Sequence, residues 1–202
     1  MKKTALIVSI AILMSFLPSV GYAAEDKTIT SAADLLSFRD EVNSGTSYEG
    51  VTVTLSSSID LSGINWEAAG TPENPFKGTF DGQNNTITGL TASGTDVYMG
   101  LFGYSEGNIK KLNAEVSLDQ LYNADPDNAS KANKHTYAGG IAAYNTGNIE
   151  NCTVKGVAKT KNEYSYTVGG GICGINKGTI SYCTNNARIY VIGATDWQKL
   201  YG

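Results

Sequence analysis

Residues 103 to 107, Gly-Tyr-Ser-Glu-Gly, have the Gly-x-Ser-x-Gly spacing that can lift the hydroxyl of Ser105 onto a sharp turn for nucleophilic attack. That chemistry needs a helix directly after the serine, and an acid and a histidine elsewhere to accept and hold its proton. The residues after Ser105 read as strand, and His135 is the only histidine of the chain. Gly169 to Gly174 spell Gly-x-Gly-x-x-Gly, a phosphate-cradling fingerprint, yet they open no helix whose N-terminus could face a pyrophosphate. Asp125, Asp127 and Asn128 could offer oxygen ligands to a cation, but the ligand spacing of a calcium loop is missing. These strings lead us to expect no catalytic residue, no cofactor and no metal site. Asp125 and Asp127 stay as candidate ligand-binding positions in a solvated loop.

Recurrence explains Ser105 better. The stretch GLFGYSEGNIKKL from Gly100 returns as GIAAYNTGNIENC from Gly140 and as GICGINKGTISYC from Gly171, with a looser copy, GTFDGQNNTITGL, from Gly78. Aligned on the first glycine, Ser105 falls with Gln83, Asn145 and Asn176, side chains that suit turns by bonding to nearby backbone. Ile87, Ile109, Ile149 and Ile180 share one place, and Leu90, Leu112, Cys152 and Cys183 share another. The copies begin 22, 40 and 31 residues apart. Such intervals suit single coils of a β-solenoid, stacked about 4.8 Å apart. The expectation is one interior ladder of the four isoleucines, with Ser105 exposed at a corner beside Asn145. Ile109 and Leu112 cannot share a face of a straight strand, so the chain must turn at or near Lys110 and Lys111. A positive φ at that corner would explain the equivalent Gly107, Gly147 and Gly178.

The same register orders the other candidates. Tyr104 and Tyr144 are equivalent; stacked and exposed they could grip sugars, while their ordinary reading is turn packing. Cys152 and Cys183 take inward places, either as small hydrophobes or, one rung apart, as a disulfide. Cys173 takes the place of Phe80, Phe102 and Ala142. The outward places hold Lys110, Glu150 and Ser181, then Lys111, Asn151 and Tyr182, without the recurring carboxylate pair that glycoside hydrolysis uses.

Around the repeat, the pattern predicts a short helix and then strands. In ITSAADLLSFRDEVNSG, Ser31 and Asp34 approximate a capping box, Leu35, Phe38 and Val42 recur at helical spacing, and Gly45 ends the pattern. A helix in the region 28–45 is placed to cap the first coil. In VTVTL, Val51, Val53 and Leu55 alternate with threonines, and in LNAEVSL Leu112, Ala114, Val116 and Leu118 point inward. Coils are expected over 48–190, interrupted by a polar insertion at 119–136. No comparable cap is evident at the far end, where VIGATDWQKLYG comes soon after the last copy. Arg188 to Gly193 would then face further coils or a second chain, which makes edge-to-edge self-association an expectation.

Bulk properties set the compartment and the partners. Residues 1–23 run from Lys2 and Lys3 through the apolar stretch Ala5 to Leu17, past Pro18, to small residues ending at Ala23, the pattern of a secretory signal peptide. The mature chain, 24–202, is expected to be one exported domain with no membrane span. Without Lys2 and Lys3 it has thirteen basic and nineteen acidic residues, a net charge near −6. Nucleic acid is therefore not an expected partner.

NPFKGTFDGQNNTITGL followed by GLFGYSEGNIKKL resembles the GLUG repeat of bacterial surface proteins, adhesin-like proteins and the non-catalytic part of immunoglobulin-A-cleaving metallopeptidases. SAADLLSFRDEVNSG and LSSSIDLSGINWEAAGTPENPFKG resemble the lead-in that accompanies it. The likeness spans roughly Ile29 to Ile189. Its first two copies match best, whereas those from Gly140 and Gly171 have drifted. The resemblance implies an all-β chain, a right-handed parallel β-helix, at the cell surface or outside the cell. It implies no chemistry, because the peptidases carry a His-Glu-x-x-His zinc site that a chain with one histidine cannot form. The expected role is structural or adhesive, binding a host or matrix protein or a glycan. The alternatives are a non-catalytic module of a larger surface protein or a carbohydrate-active enzyme.

Overall fold

The computed structural model describes residues 25–122, 135–162 and 165–193. The expected signal peptide at 1–23, the loop positions Asp125, Asp127 and Asn128, and Thr195 to Tyr201 lie outside the described residues.

A lead-in forms first. Strand β1 (Lys27–Ile29) precedes helix α1 (Ala32–Asn43). The Ser31 side chain accepts from the Asp34 amide while the Asp34 carboxylate accepts from the Ser31 amide, the reciprocal cap that the sequence suggests. Strands β2 (Thr52–Leu55), β3 (Ile59–Asp60), β4 (Thr79–Asp81) and β5 (Thr86–Gly94) come after it. Three complete coils of four strands each come next among the described residues. The first comprises β6 (Tyr98–Met99), β7 (Phe102–Ser105), β8 (Asn108–Lys110) and β9 (Asn113–Tyr122). The second comprises β10 (Thr136–Gly139), β11 (Ala142–Asn145), β12 (Asn148–Glu150) and β13 (Thr153–Asn162). The third comprises β14 (Thr167–Gly170), β15 (Cys173–Asn176), β16 (Thr179–Ser181) and β17 (Thr184–Ile192).

Corresponding strands stack in parallel into four sheets, in the orders β1-β2-β4-β8-β12-β16, β6-β10-β14, β7-β11-β15 and β3-β5-β9-β13-β17. The described residues form an all-β parallel β-helix with one helix, α1, at their N-terminal end. Equal register puts equal places of successive coils above one another. Ile109, Ile149 and Ile180 do form one ladder. Ile87 does not join it. The residue facing Ile109 from the previous rung is Phe80, preceded by Val53, while Ile87 pairs with Ile59 and Ala114 in another sheet. The copy from Gly78 is therefore out of register by seven residues: Gly78 is the counterpart of Gly107, and Leu90, paired with Val116, is no counterpart of Leu112.

The corner after β8 lies at Lys111, as expected, and recurs at Asn151 and Tyr182, all three with φ of 51–52°. The glycines at 107, 147 and 178 have a different cause. They do not adopt positive φ; an added Cβ on each would strike the carbonyl of the glycine below it, at Gly78, Gly107 and Gly147 respectively. Close approach of successive coils requires them.

Leu35, Phe38 and Val42 of α1 are fully buried against the first coils. The Phe38 ring meets Phe76, Phe80 and Phe102 at centroid distances of 5.6, 5.6 and 6.1 Å. The helix thus closes one end of the apolar interior. At the opposite end the same interior column stands open: Ile149 is fully buried, whereas Ile180 is 38% exposed. Outside the core, Glu115–Lys155 and Asp119–Lys159 ion pairs join β9 to β13 at 3.0 and 3.2 Å. No described helix is long and apolar enough to cross a membrane.

Candidate functional site

Tyr104 and Tyr144 stand on adjacent rungs of the β7-β11-β15 sheet, within strands and not in turns. Their rings stack with centroids 4.6 Å apart and planes inclined by 12°. A second pair, Tyr98 and Tyr137, stands on adjacent rungs of the neighbouring β6-β10-β14 sheet, stacked at 5.2 Å and 23°. Within each coil the chain bends between these two short strands, at Gly100-Leu101 and again after Gly139, at Gly140-Ile141. The bend brings both outward tyrosines of a coil into edge contact, Tyr98 with Tyr104 at 6.2 Å and Tyr137 with Tyr144 at 6.1 Å. The result is a two-by-two array of half-buried phenols, with Lys177 of the next coil 5.6 Å over the Tyr144 ring.

Ring geometry governs the chemistry that this array offers. Stacked rings close their faces to one another, so ring edges and hydroxyls remain for a partner. Burial, then the neighbouring phenols, pushes the Tyr98, Tyr104 and Tyr137 hydroxyls above the ordinary tyrosine range. They remain neutral donors at any physiological pH. Lys177, held by the Tyr144 hydroxyl, is raised as well and keeps its charge. The array can therefore present apolar edges, phenolic O–H groups and one cation together.

The β1-β2-β4-β8-β12-β16 sheet carries a polar strip on its outer face. Asp81, Lys110, Glu150 and Ser181 are successive in register, with Lys110 Nζ 3.3 Å from Asp81 Oδ2. Beside them Asn148 donates to Asn108 across one rung at 2.8 Å. Asp81 is invisible in the sequence as a member of this strip, because the copy from Gly78 aligns out of register. Lys110 separates the two carboxylates, and Glu150 is engaged by Asn151 at 3.0 Å.

Ser105 pairs in register with Asn145, as expected, but it is fully buried and not an exposed corner residue. Its hydroxyl finds no described partner, and β8 comes after it where a nucleophile elbow needs a helix. His135 lies elsewhere, its Nδ1 3.1 Å from the Ser165 hydroxyl. Cys152, Cys173 and Cys183 are free; burial above all pushes the Cys152 and Cys173 thiols up to about 12. Gly169 to Gly174 span β14 and the start of β15, with no helix after them.

Sequence reasoning found Tyr104 and Tyr144 but missed Tyr98 and Tyr137. Counting back from Gly100 and Gly140 sets Tyr98 opposite Ala138, because the second coil has one extra residue at the bend. The register pairs Tyr98 with Tyr137 and Met99 with Ala138. No curated protein and no solved structure matches the chain. One family model does, and it falls on the copy expected to have drifted: residues 135–159, from the approach to β10 into β13, match the model of the GLUG motif, so this is a chain that contains a GLUG motif.

Proposed function

We propose that this is an exported structural or adhesive β-solenoid that binds a protein or glycan at the bacterial cell surface, and that the four-tyrosine array is its contact surface. The observation that carries this reading is the pairing of two stacks into one patch, which brings four half-buried phenols together. Tyrosine is enriched where one partner must offer both apolar area and a hydrogen bond. The GLUG motif at 135–159 supports a repeat-built, non-catalytic role, and two strands of the array, β10 and β11, lie inside that match. The burial of Ser105 supports binding over catalysis.

The test is a binding screen of residues 24–202 against glycan arrays and matrix proteins, repeated with Tyr104→Ala/Tyr144→Ala. The double variant should lose at least about tenfold in affinity for whatever ligand is found, roughly 1.4 kcal/mol or more. Undiminished binding by a variant with unchanged circular dichroism would remove the array from the account. The exposed interior of the third coil, with Ile180 at 38%, favours a second reading in which the chain is a non-catalytic module covered at that end by a neighbour. Fusing residues 1–30 to a reporter that is active only after export tests the compartment separately.

A further inference from the structure

We propose that Cys152 and Cys183 form a disulfide that fastens the third coil to the second. The inference rests on the proposed export for its oxidising compartment, and on the register for its geometry. Ile149 and Glu150 pair with Ile180 and Ser181, and Thr153 pairs with Thr184, so the two cysteines face each other on adjacent rungs just past the corner. The Thr184 amide donates to the Cys152 carbonyl at 2.8 Å, which locks that alignment. In-register parallel neighbours have Cα atoms about 4.8 Å apart, inside the window of about 4.4–6.8 Å that a disulfide spans.

The sulfurs are already biased towards each other from one side. Cys183 Sγ lies 3.4 Å from the Cys152 amide nitrogen, leaning down towards the rung below. Cys152 Sγ leans the same way, towards the Ile109 and Glu150 carbonyls at 3.9 and 3.3 Å. Closing the bond requires the Cys152 sulfur to leave those carbonyls and turn up to its neighbour, a change of χ1 between staggered wells. Cys173 has no such partner in register: its column holds Ala142 and Phe102. Access falls on Cys183, which is partly exposed while Cys152 is fully buried.

That asymmetry sets the order of steps. The oxidant is a small-molecule or protein disulfide. The Cys183 thiolate attacks one of its sulfurs, forms a mixed disulfide and expels one thiolate. Cys152 then gives up its proton and attacks the Cys183 sulfur, expelling the second thiolate. Two protein thiols and one external disulfide become one protein disulfide and two external thiols, the two protons passing to the departing thiolates. The gain is local. The third coil has no coil above it among the described residues, and its interior column is exposed. A covalent tie across one rung would hold it against fraying.

Residues 24–202, incubated with glutathione disulfide, then denatured and alkylated, give a direct reading. One alkylated cysteine, Cys173, is expected, with a mass about 2 Da below that of the reduced chain before alkylation. A crosslinked proteolytic peptide should join Cys152 to Cys183. Cys183→Ser should abolish the mass deficit and Cys173→Ser should retain it. Three alkylated thiols, pairing through Cys173, glutathione left on Cys183, or a covalent dimer would each overturn the proposal. Because this assay uses purified protein, its failure counts against the bond alone, while failure of the export reporter counts against the compartment alone.

Discussion

Ser105 and Asn145 leave one rung of this helix unfinished. The Asn145 amide nitrogen donates to Asn176 Oδ1 on the next rung at 2.7 Å and to the Gly147 carbonyl at 3.0 Å, but its own Oδ1 has no described partner. The buried Ser105 hydroxyl one rung below also lacks a partner among the described residues. An asparagine in that place would repeat the Asn145–Asn176 geometry and donate to Asn145 Oδ1. Ser105→Asn should therefore leave the fold intact and raise stability by about 1 kcal/mol, the net value of one buried hydrogen bond. Urea denaturation checks this, and a lowered midpoint would show that the neighbouring Phe76 leaves the amide no room. The amide preference at this position was legible in the sequence. Its burial was not, because small polar residues signal exposed turns and stacked amide ladders equally well.

At the scale of elements, the first tie between lead-in and helix is a cluster around Glu41. Its carboxylate accepts from Lys27 of β1 at 2.6 Å, from the Tyr48 hydroxyl, and from Ser37 at 2.8 Å. These bonds, that from Lys27 foremost, hold the Glu41 carboxyl down to about 2, against its ordinary value of 4.5. A carboxyl whose folded pKa is depressed contributes stability that is present above the unfolded value and lost as pH falls through the folded one. The contribution is thus whole above about pH 4.5 and fades towards pH 2. Melting temperatures of the parent chain and of Glu41→Gln should differ at neutral pH and converge over that window; a gap unchanged down to pH 2 would mean that Glu41 acts through packing alone. The helix itself was readable from Ser31, Asp34 and the Leu35-Phe38-Val42 stripe, because a cap and a period of 3.6 are local signals. The first rung was not, because Gly78-Thr-Phe80 imitates Gly100-Leu-Phe102, and only backbone pairing reveals that Phe80 fills the place of Ile109. Tyr98 and Tyr137 stayed hidden for a similar reason, a single extra residue at a bend, which costs a coil nothing and defeats a fixed count.

For the molecule as a whole, the two ends of the solenoid differ in the surfaces they present. The N-terminal end is closed by α1, with Phe38 seated on the aromatic interior. The described C-terminal end presents the open backbone edge of the third coil. There Tyr182, Tyr190, Val191 and Ile192 are 83%, 48%, 46% and 40% exposed. Open edges with β-branched and aromatic side chains template the addition of another strand. Head-to-tail stacking, which would give a filament, meets the helix at the other end. The remaining arrangement is edge to edge between two third coils, a two-fold contact that closes on itself. Residues 24–202 should accordingly sediment as a dimer that dissociates on dilution, without larger species. Tyr190→Lys/Ile192→Lys places charge on that edge and should shift the population to monomer while leaving the circular dichroism unchanged. A parent chain that stays monomeric at high concentration would rule out this contact, and a ladder of higher oligomers would show that α1 does not block stacking from the other end.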